Sequence, residues 1–136
     1  MAFKYIYTRL NVSDYQACKA FYRDVMGLEI TFSDDEDEYA EFATGQTKIT
    51  IFNRQKLKEF IGSEETTTYD AHYAGTALSF EVNDLDGTIK RLKKQGVKLI
   101  NNPWNYPDRG FISTCFRDPD GNLIELQQSI FQQPTA

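Results

Sequence analysis

Hydrophobic and polar residues alternate at several places along the chain with the two-residue period of a β-strand. The first of these stretches, Tyr5 to Val12, predicts a half-buried strand. Its apolar side consists of Ile6, Leu10 and Val12, and its other side of Tyr5, Tyr7, Arg9 and Asn11.

A change of period predicts a helix directly after this strand. Apolar residues from Cys18 to Val25 recur at three- and four-residue spacing, which places them on one face of an α-helix. Ser13 or Asp14 supplies an N-cap, and Gly27 supplies the C-terminal stop. The pattern predicts an amphipathic helix of about three turns.

Three further strand-like stretches complete the first unit. Leu28 to Phe32 predicts a short strand, and Tyr39 to Ala43 with Lys48 to Phe52 predicts a hairpin around Gly45. The acidic run Asp34 to Asp37 separates the short strand from the hairpin. It is interpreted as a solvated turn, with a cation site as the alternative.

The same order of elements begins again about 70 residues later. Leu10 to Asp14 corresponds to Phe80 to Asp84, where Asn83 or Asp84 caps a second helix that ends at Gly96. Three strands then follow, predicted at Val97 to Ile100, Phe111 to Phe116 and Leu123 to Gln127.

The repeat predicts an α+β fold in which two βαβββ modules form curved mixed sheets around a cleft. We expect one domain over residues 1–136, with module one at about 3–53 and module two at about 74–129. A connector spans about 54–73, where Leu57, Phe60 and Ile61 could make one helical turn, and a tail follows at 130–136.

A sharp turn directs one carboxylate to the far side of the last strand. In the run from Asp118 to Leu126, Pro119 fixes φ and Gly121 permits a positive φ. Strand alternation then places Glu125 on the face opposite Ile124.

Composition and charge narrow the class of partner. The chain has 136 residues, 40% of them hydrophobic, and its ten Phe and eight Tyr suit either an aromatic core or an apolar pocket. A formal charge of -5 without a basic stripe argues against nucleic-acid and anionic-membrane partners. Since the sequence has no apolar run of about 20 residues and no signal-peptide core at its start, we expect a cytoplasmic protein.

The cysteines and the single histidine add little chemistry. Cys18 and Cys115 fall in helix-like and strand-like stretches, and we interpret both as reduced core thiols. A catalytic thiol needs a nearby histidine, and the only one is His72, in the connector. His72 is interpreted as a surface residue, with a metal ligand folded back into the cleft as the alternative.

Four stretches together resemble the vicinal oxygen chelate superfamily, which includes glyoxalase I, bleomycin-resistance proteins and extradiol dioxygenases. They are Asn11 to Asp14, Phe21 to Leu28, Phe80 to Asp86 and Asp118 to Leu126, and the resemblance covers about residues 3–129. It implies the paired-module fold described above.

The resemblance also implies where a metal would be held. Family enzymes bind a divalent ion through up to four residues, usually His, Glu or Gln, on the first and last strands of each module. The matching positions here are Tyr7, Thr50, Ala77 and Glu125, of which only Glu125 keeps the pattern. One carboxylate with weak donors does not hold a transition metal against water, so we expect no metal and no cofactor.

The cleft-facing positions suggest a ligand site in place of a metal centre. Arg9 and Glu125 form either an internal ion pair or a ligand anchor with an acceptor or base. Trp104, between Pro103 and Pro107, resembles the mobile loop of the family, and it either closes over a ligand or packs on the protein surface. The predicted ligand-binding residues are Tyr7, Arg9, Thr50, Phe52, Ser79, Trp104 and Glu125.

Three functions fit this sequence. The first is metal-independent binding of a small, partly aromatic organic molecule, as in the bleomycin-resistance branch. The second is a glyoxalase-like lyase or isomerase with a degenerate metal site, which uses Glu125 as a catalytic base. The third is a regulatory or scaffold domain whose cleft is filled by its own side chains. The resemblance also implies a homodimer.

Overall fold

Two four-stranded mixed sheets, one in each half of the chain, are the main features of the computed structural model. The structure describes residues 4–57 and 75–131. The chain divides into two units, Met1–Thr68 and Tyr69–Ala136, and each is described by itself. Their boundary lies in the predicted connector, where His72, Phe60 and Ile61 fall outside the described residues. The predicted cleft between modules stays a prediction.

Unit 1 contains the first predicted module. Its sheet has the strand order β1-β4-β3-β2, with β1 parallel to β4 and the other neighbours antiparallel. The elements are β1 (Thr8–Val12), α1 (Tyr15–Ala20) continued by a π-helical turn (Phe21–Val25), β2 (Ile30–Asp34), β3 (Tyr39–Ala43), β4 (Lys48–Asn53) and a 3-10 turn (Arg54–Lys56).

The sequence signals that position α1 act as expected. The side chain of Asp14 accepts a hydrogen bond of 3.0 Å from the backbone N–H of Ala17, which makes Asp14 the N-cap. Gly27 has a φ of 72°, the left-handed conformation that ends the helical segment. The apolar face of the helix then packs on one side of the sheet, where Val12, Tyr22 and Phe42 are fully buried. The other side of the sheet is left for polar and aromatic residues.

Unit 2 repeats this design. Its sheet has the order β5-β8-β7-β6, with β5 parallel to β8 as β1 is to β4, and Asp84 caps its helix through Gly87. The predicted duplication is therefore confirmed. Across the described residues, no helix has the length and apolarity to span a bilayer. The elements are β5 (Ala77–Glu81), α2 (Leu85–Lys94), β6 (Trp104–Tyr106), β7 (Phe111–Arg117) and β8 (Leu123–Ser129).

The predicted strand at Val97 to Ile100 is wrong. The strand that pairs with β7 is β6, which begins at Trp104. Residues 97–100 still reach β7, since Ile100 N–H donates to the carbonyl of Cys115 at 2.8 Å. Next to that bond, a side chain takes the place of a backbone acceptor, because the Oδ1 of Asn101 accepts the hydrogen bond from the Cys115 N–H at 2.9 Å. An alternation pattern cannot reveal this arrangement, because a side chain makes the contact.

The counterpart strand in unit 1 is displaced as well. β2 begins at Ile30 and not at the predicted Leu28, and its pairing with β3 shifts register between Ile30 and Phe32. Such an irregularity adds local twist and redirects the side chains that follow it. The shift brings Phe32 and Asp34 onto the strand segment that faces the cavity described next.

Candidate functional site

A cavity of about 550 Å³ opens on the sheet of unit 1, on the face opposite the helix. Its volume lies within the range of about 300–1,000 Å³ that is usual for small-molecule sites. Two of its residues, Phe52 and Tyr39, are direct cross-strand partners on β4 and β3. The lining residues are Tyr7, Arg9, Phe32, Asp34, Asp37, Tyr39, Phe52 and Lys56.

Three aromatic rings form a continuous wall of this cavity. The Tyr39 ring lies 6.0 Å from Phe32 and 6.4 Å from Phe52, measured between centroids. The Cζ atom of Arg9 lies 5.9 Å from the Phe52 centroid, within the range of a cation–π contact. The wall therefore offers flat apolar surface with a guanidinium at one end.

Arg9 and Thr50 lie directly opposite each other on β1 and β4. Thr50 is fully buried and does not line the cavity. Its hydroxyl lies close enough to the Tyr39 phenol to lower the pKa of that phenol slightly. The Thr50 hydroxyl makes no hydrogen bond of normal geometry with the rest of the described chain. Tyr7, Arg9 and Phe52 thus line one cavity, whereas Thr50, which was predicted to bind the ligand with them, lies buried beside Arg9.

Glu41 belongs to this site, and the sequence analysis missed it. The Tyr39 hydroxyl donates to Glu41 Oε2 at 2.6 Å, and Lys48 Nζ lies 3.2 Å from Glu41 Oε1. Burial, followed by the bond to Glu41, raises the pKa of Tyr39, so the phenol remains a proton donor at neutral pH. The signal was present: Ala40 and Phe42 belong to the core, so alternation puts Tyr39 and Glu41 on the other face.

We expect the Glu41 carboxylate to make stability depend on pH. The Tyr39 hydroxyl and then Lys48 lower the pKa of Glu41 below its ordinary value of 4.5. A carboxyl with a depressed folded-state pKa stabilises the fold above its ordinary pKa, and this contribution disappears as the pH falls through the folded-state value. In urea unfolding, the stability difference between wild type and Glu41→Gln should therefore shrink from neutral pH to about pH 3. A difference that stays constant over this range would contradict the role given to the charge.

Unit 2 places a carboxylate at the position equivalent to Thr50. Glu125 on β8 lies opposite Ser79 on β5, and the Ser79 hydroxyl donates to Glu125 Oε1 at 2.7 Å. Gln127 Nε2 donates to the same oxygen, also at 2.7 Å. The predicted neighbours Ser79 and Glu125 are therefore in contact, and two donors hold the carboxylate in place.

Cys115 lies on the Glu125 face, so its predicted place in the core is wrong. It is the direct cross-strand partner of Glu125 and is partly exposed, whereas Cys18 is fully buried as expected. Burial, and then the charge of Glu125, raises the pKa of the Cys115 thiol. At neutral pH the side chain is a protonated thiol and a poor nucleophile.

Trp104 is on the same face of the sheet as Glu125. It pairs with Ser113, which in turn pairs with Gln127, so these three residues form one row across the sheet. Trp104 is 64% exposed, and both interpretations of its role stay predictions. Its position in a strand also differs from the mobile loop suggested by the family resemblance.

The residues present do not fit the divalent-metal site that the resemblance implies. Of the four matching positions, Ala77 has no donor atom, Thr50 is a buried neutral hydroxyl, and Tyr7 is a phenol. Glu125 is the remaining donor, and its nearest partners are a hydroxyl and an amide. Within residues 4–57 and 75–131, no group of three or more His, Cys, Asp or Glu side chains is placed to hold a metal. The predicted pairing of Arg9 with Glu125 joins residues of different units and stays a prediction.

Known proteins are similar to this chain in sequence and in fold. The model of the Glyoxalase/Bleomycin resistance protein/Dioxygenase superfamily matches residues 4–126. The uncharacterized protein YraH of Bacillus subtilis (strain 168) is 35% identical over 127 residues, which is 93% of this chain and 99% of that protein.

Two solved structures are similar over nearly their whole length. A lactoylglutathione lyase from Agrobacterium tumefaciens has a TM-score of 0.70 and 25% identity, with 92% of each chain covered. TnmS3, an antibiotic binding protein from Streptomyces sp. CB03234, has a TM-score of 0.68 and 23% identity, with 95% of this chain and 98% of that chain covered.

Proposed function

The chain belongs to the Glyoxalase/Bleomycin resistance protein/Dioxygenase superfamily, and on that premise we propose that it binds a small, partly aromatic organic molecule without transforming it. The observation that carries this proposal is the cavity of unit 1, where three rings and a guanidinium line a space of about 550 Å³. Flat rings bury the apolar body of a ligand, and the fork of Arg9 holds an anionic group. The antibiotic binding protein TnmS3 has the same fold, which is compatible with this role.

An NMR titration with biphenyl-4-carboxylate tests the proposal. We expect saturable shifts of the backbone amides of Phe32, Tyr39 and Phe52, because the ligand rings would stack on this wall. We also expect the biphenyl compound to be recovered unchanged after long incubation. The absence of shifts at these amides, or chemical conversion of the probe, would overturn the proposal.

A lyase or isomerase that uses Glu125 as the base is the second candidate. One observation favours it: both donors to Glu125 use Oε1, so Oε2 accepts no hydrogen bond from the rest of the described chain and is open for proton removal. Turnover of methylglyoxal with glutathione that is lost in Glu125→Gln would support it. Unchanged turnover in that variant would exclude Glu125 as the base.

The remaining expectations from the sequence belong to this proposal. Tyr7 and Phe52 would cover the ligand body, while Ser79 and Trp104 would contact a ligand bound on the Glu125 face. We also propose, from the sequence and the family resemblance, that the partner is a small molecule, that the protein is located in the cytoplasm and that it forms a homodimer.

A further inference from the structure

Two charged residues that line the unit 1 cavity, Arg9 and Asp34, lie on the outermost strands of the sheet, with Phe52 and Tyr39 on the strands between them. The strand order β1-β4-β3-β2 carries Arg9 on β1, Phe52 on β4, Tyr39 on β3 and Asp34 on β2. Asp34 and Tyr39 are direct cross-strand partners, as are Tyr39 and Phe52. A guanidinium is thus followed by aromatic rings and then by a carboxylate.

The acidic end holds two carboxylates, Asp34 and Asp37. The backbone N–H of Asp37 donates to Asp34 Oδ1 at 3.2 Å, which keeps the two residues together. Their neighbour Asp35 points to the helix side instead, where it binds Lys19 at 2.8 Å and the Tyr15 hydroxyl at 2.7 Å. The acidic run forms an exposed turn, as predicted, and its carboxylates lie on both faces of the sheet.

Lys56 also lines the cavity, but its ammonium group binds two residues, Glu36 and Glu38, that do not line the cavity. Its ammonium donates to the carbonyl of Glu36 at 3.0 Å and lies 3.7 Å from the Glu38 carboxylate. Glu38 offsets the charge of Lys56, which leaves Asp34 and Asp37 to make this end negative.

The strand spacing sets the length of ligand that could reach both ends. Adjacent strands lie about 4.8 Å apart, so β1 and β2 are separated by about 14 Å. The Arg9 guanidinium lies over Phe52 on the neighbouring strand β4, and β4 is two strand spacings, or roughly 10 Å, from β2. A two-ring aromatic body with a charged group at each end has this length.

We propose that the ligand of this cavity is an aromatic zwitterion of about two rings. Its carboxylate binds Arg9, its rings stack on Phe52 and Tyr39, and its ammonium lies between Asp34 and Asp37. The Phe32 and Tyr39 rings also favour a cation at that end. The inference rests on the proposed binding function and adds the chemical class of the ligand.

Four biphenyl probes separate the contributions by calorimetry: 4′-(aminomethyl)biphenyl-4-carboxylate, biphenyl-4-carboxylate, biphenyl-4-methylamine and biphenyl-4-methanol. We expect the zwitterion to bind about 3- to 10-fold more tightly than the carboxylate alone, the gain typical of a partly exposed ion pair with a cation–π contact. Equal affinity for the zwitterion and the carboxylate would overturn the proposal that the ligand is a zwitterion, but not the proposed binding function. Binding of none of the four would overturn both proposals.

The acidic end is tested with the double variant Asp34→Asn/Asp37→Asn. We expect it to bind biphenyl-4-carboxylate as well as wild type does, or slightly better, and to lose the preference for the zwitterion. The control is Asp86→Asn/Asp108→Asn, which removes the same charge from exposed positions of unit 2 and should keep the preference. A preference that survives in the first variant, or disappears in the control, would overturn the assignment to Asp34 and Asp37.

Discussion

Replacing Arg9 with alanine should weaken the binding of biphenyl-4-carboxylate about 10- to 100-fold while the protein stays folded. A hydrogen-bonded pair between a guanidinium and a carboxylate contributes about 1.5–3 kcal/mol in a partly buried site. Arg9 has the position for this role, since it lies over Phe52 at one end of the aromatic wall. The fold should tolerate the change, because the core side of β1 is formed by Leu10 and Val12.

Two controls distinguish the anchoring role of Arg9 from loss of packing. Arg9→Lys keeps the charge but not the planar fork, so its affinity should fall between those of wild type and Arg9→Ala. The neutral probe biphenyl-4-methanol should bind wild type and Arg9→Ala with affinities that differ by less than about 3-fold. If Arg9→Ala binds the carboxylate as tightly as wild type does, with an unchanged circular dichroism spectrum, Arg9 is not the anchor.

The fold could be predicted from the sequence because its signals are local and occur twice. The spacing of apolar residues predicted both helices and the end of β1 at Val12. It was wrong about the start of β1, which is at Thr8 and not at Tyr5, and Ile6 on the predicted apolar side is 61% exposed. Asp14 and Asp84 cap the helices at the predicted places. The predicted strand at residues 97–100 was wrong because a side chain there accepts a hydrogen bond that a strand would accept with its backbone. Asn101 supplies a side-chain acceptor beside β7 in place of the backbone, so the pairing strand starts only at Trp104.

Five of the eight residues that line the cavity were not predicted, and two of these five depend on pairing between strands. Alternation along single strands was enough to identify Tyr7, Arg9 and Phe52. Phe32 and Asp34 face the same space only because β2 shifts register against β3, which no local pattern shows.

Cys115 was misplaced for a related reason. Apolar side chains occur on both faces of β7, so its alternation does not tell which face is covered by the helix. Its pairing with Glu125 decides the matter, and that pairing is a long-range property.

The turn between β7 and β8 should be the most sensitive polar element of unit 2. Asp118 is 5% exposed, and its Oδ1 accepts from the backbone N–H groups of Asp120 at 2.9 Å and Asn122 at 2.8 Å. Its Oδ2 accepts from Asn122 Nδ2 at 2.8 Å. Gly121 has a φ of 93°, so the turn also needs glycine at that position.

We expect Asp118→Ala to lower the free energy of unfolding by about 3 kcal/mol, because it leaves two backbone donors of a buried turn without their acceptor. Asn122→Ala removes only the side-chain donor and should cost about 1 kcal/mol. Urea unfolding followed by the fluorescence of Trp104, the single tryptophan of the chain, reports on the same sheet. In Asp118→Asn, Oδ1 still accepts but an amide meets the Asn122 amide, so the second change Asn122→Asp should recover part of the lost stability. A loss below about 0.5 kcal/mol in Asp118→Ala would mean that Pro119 and Gly121 set the turn without the carboxylate.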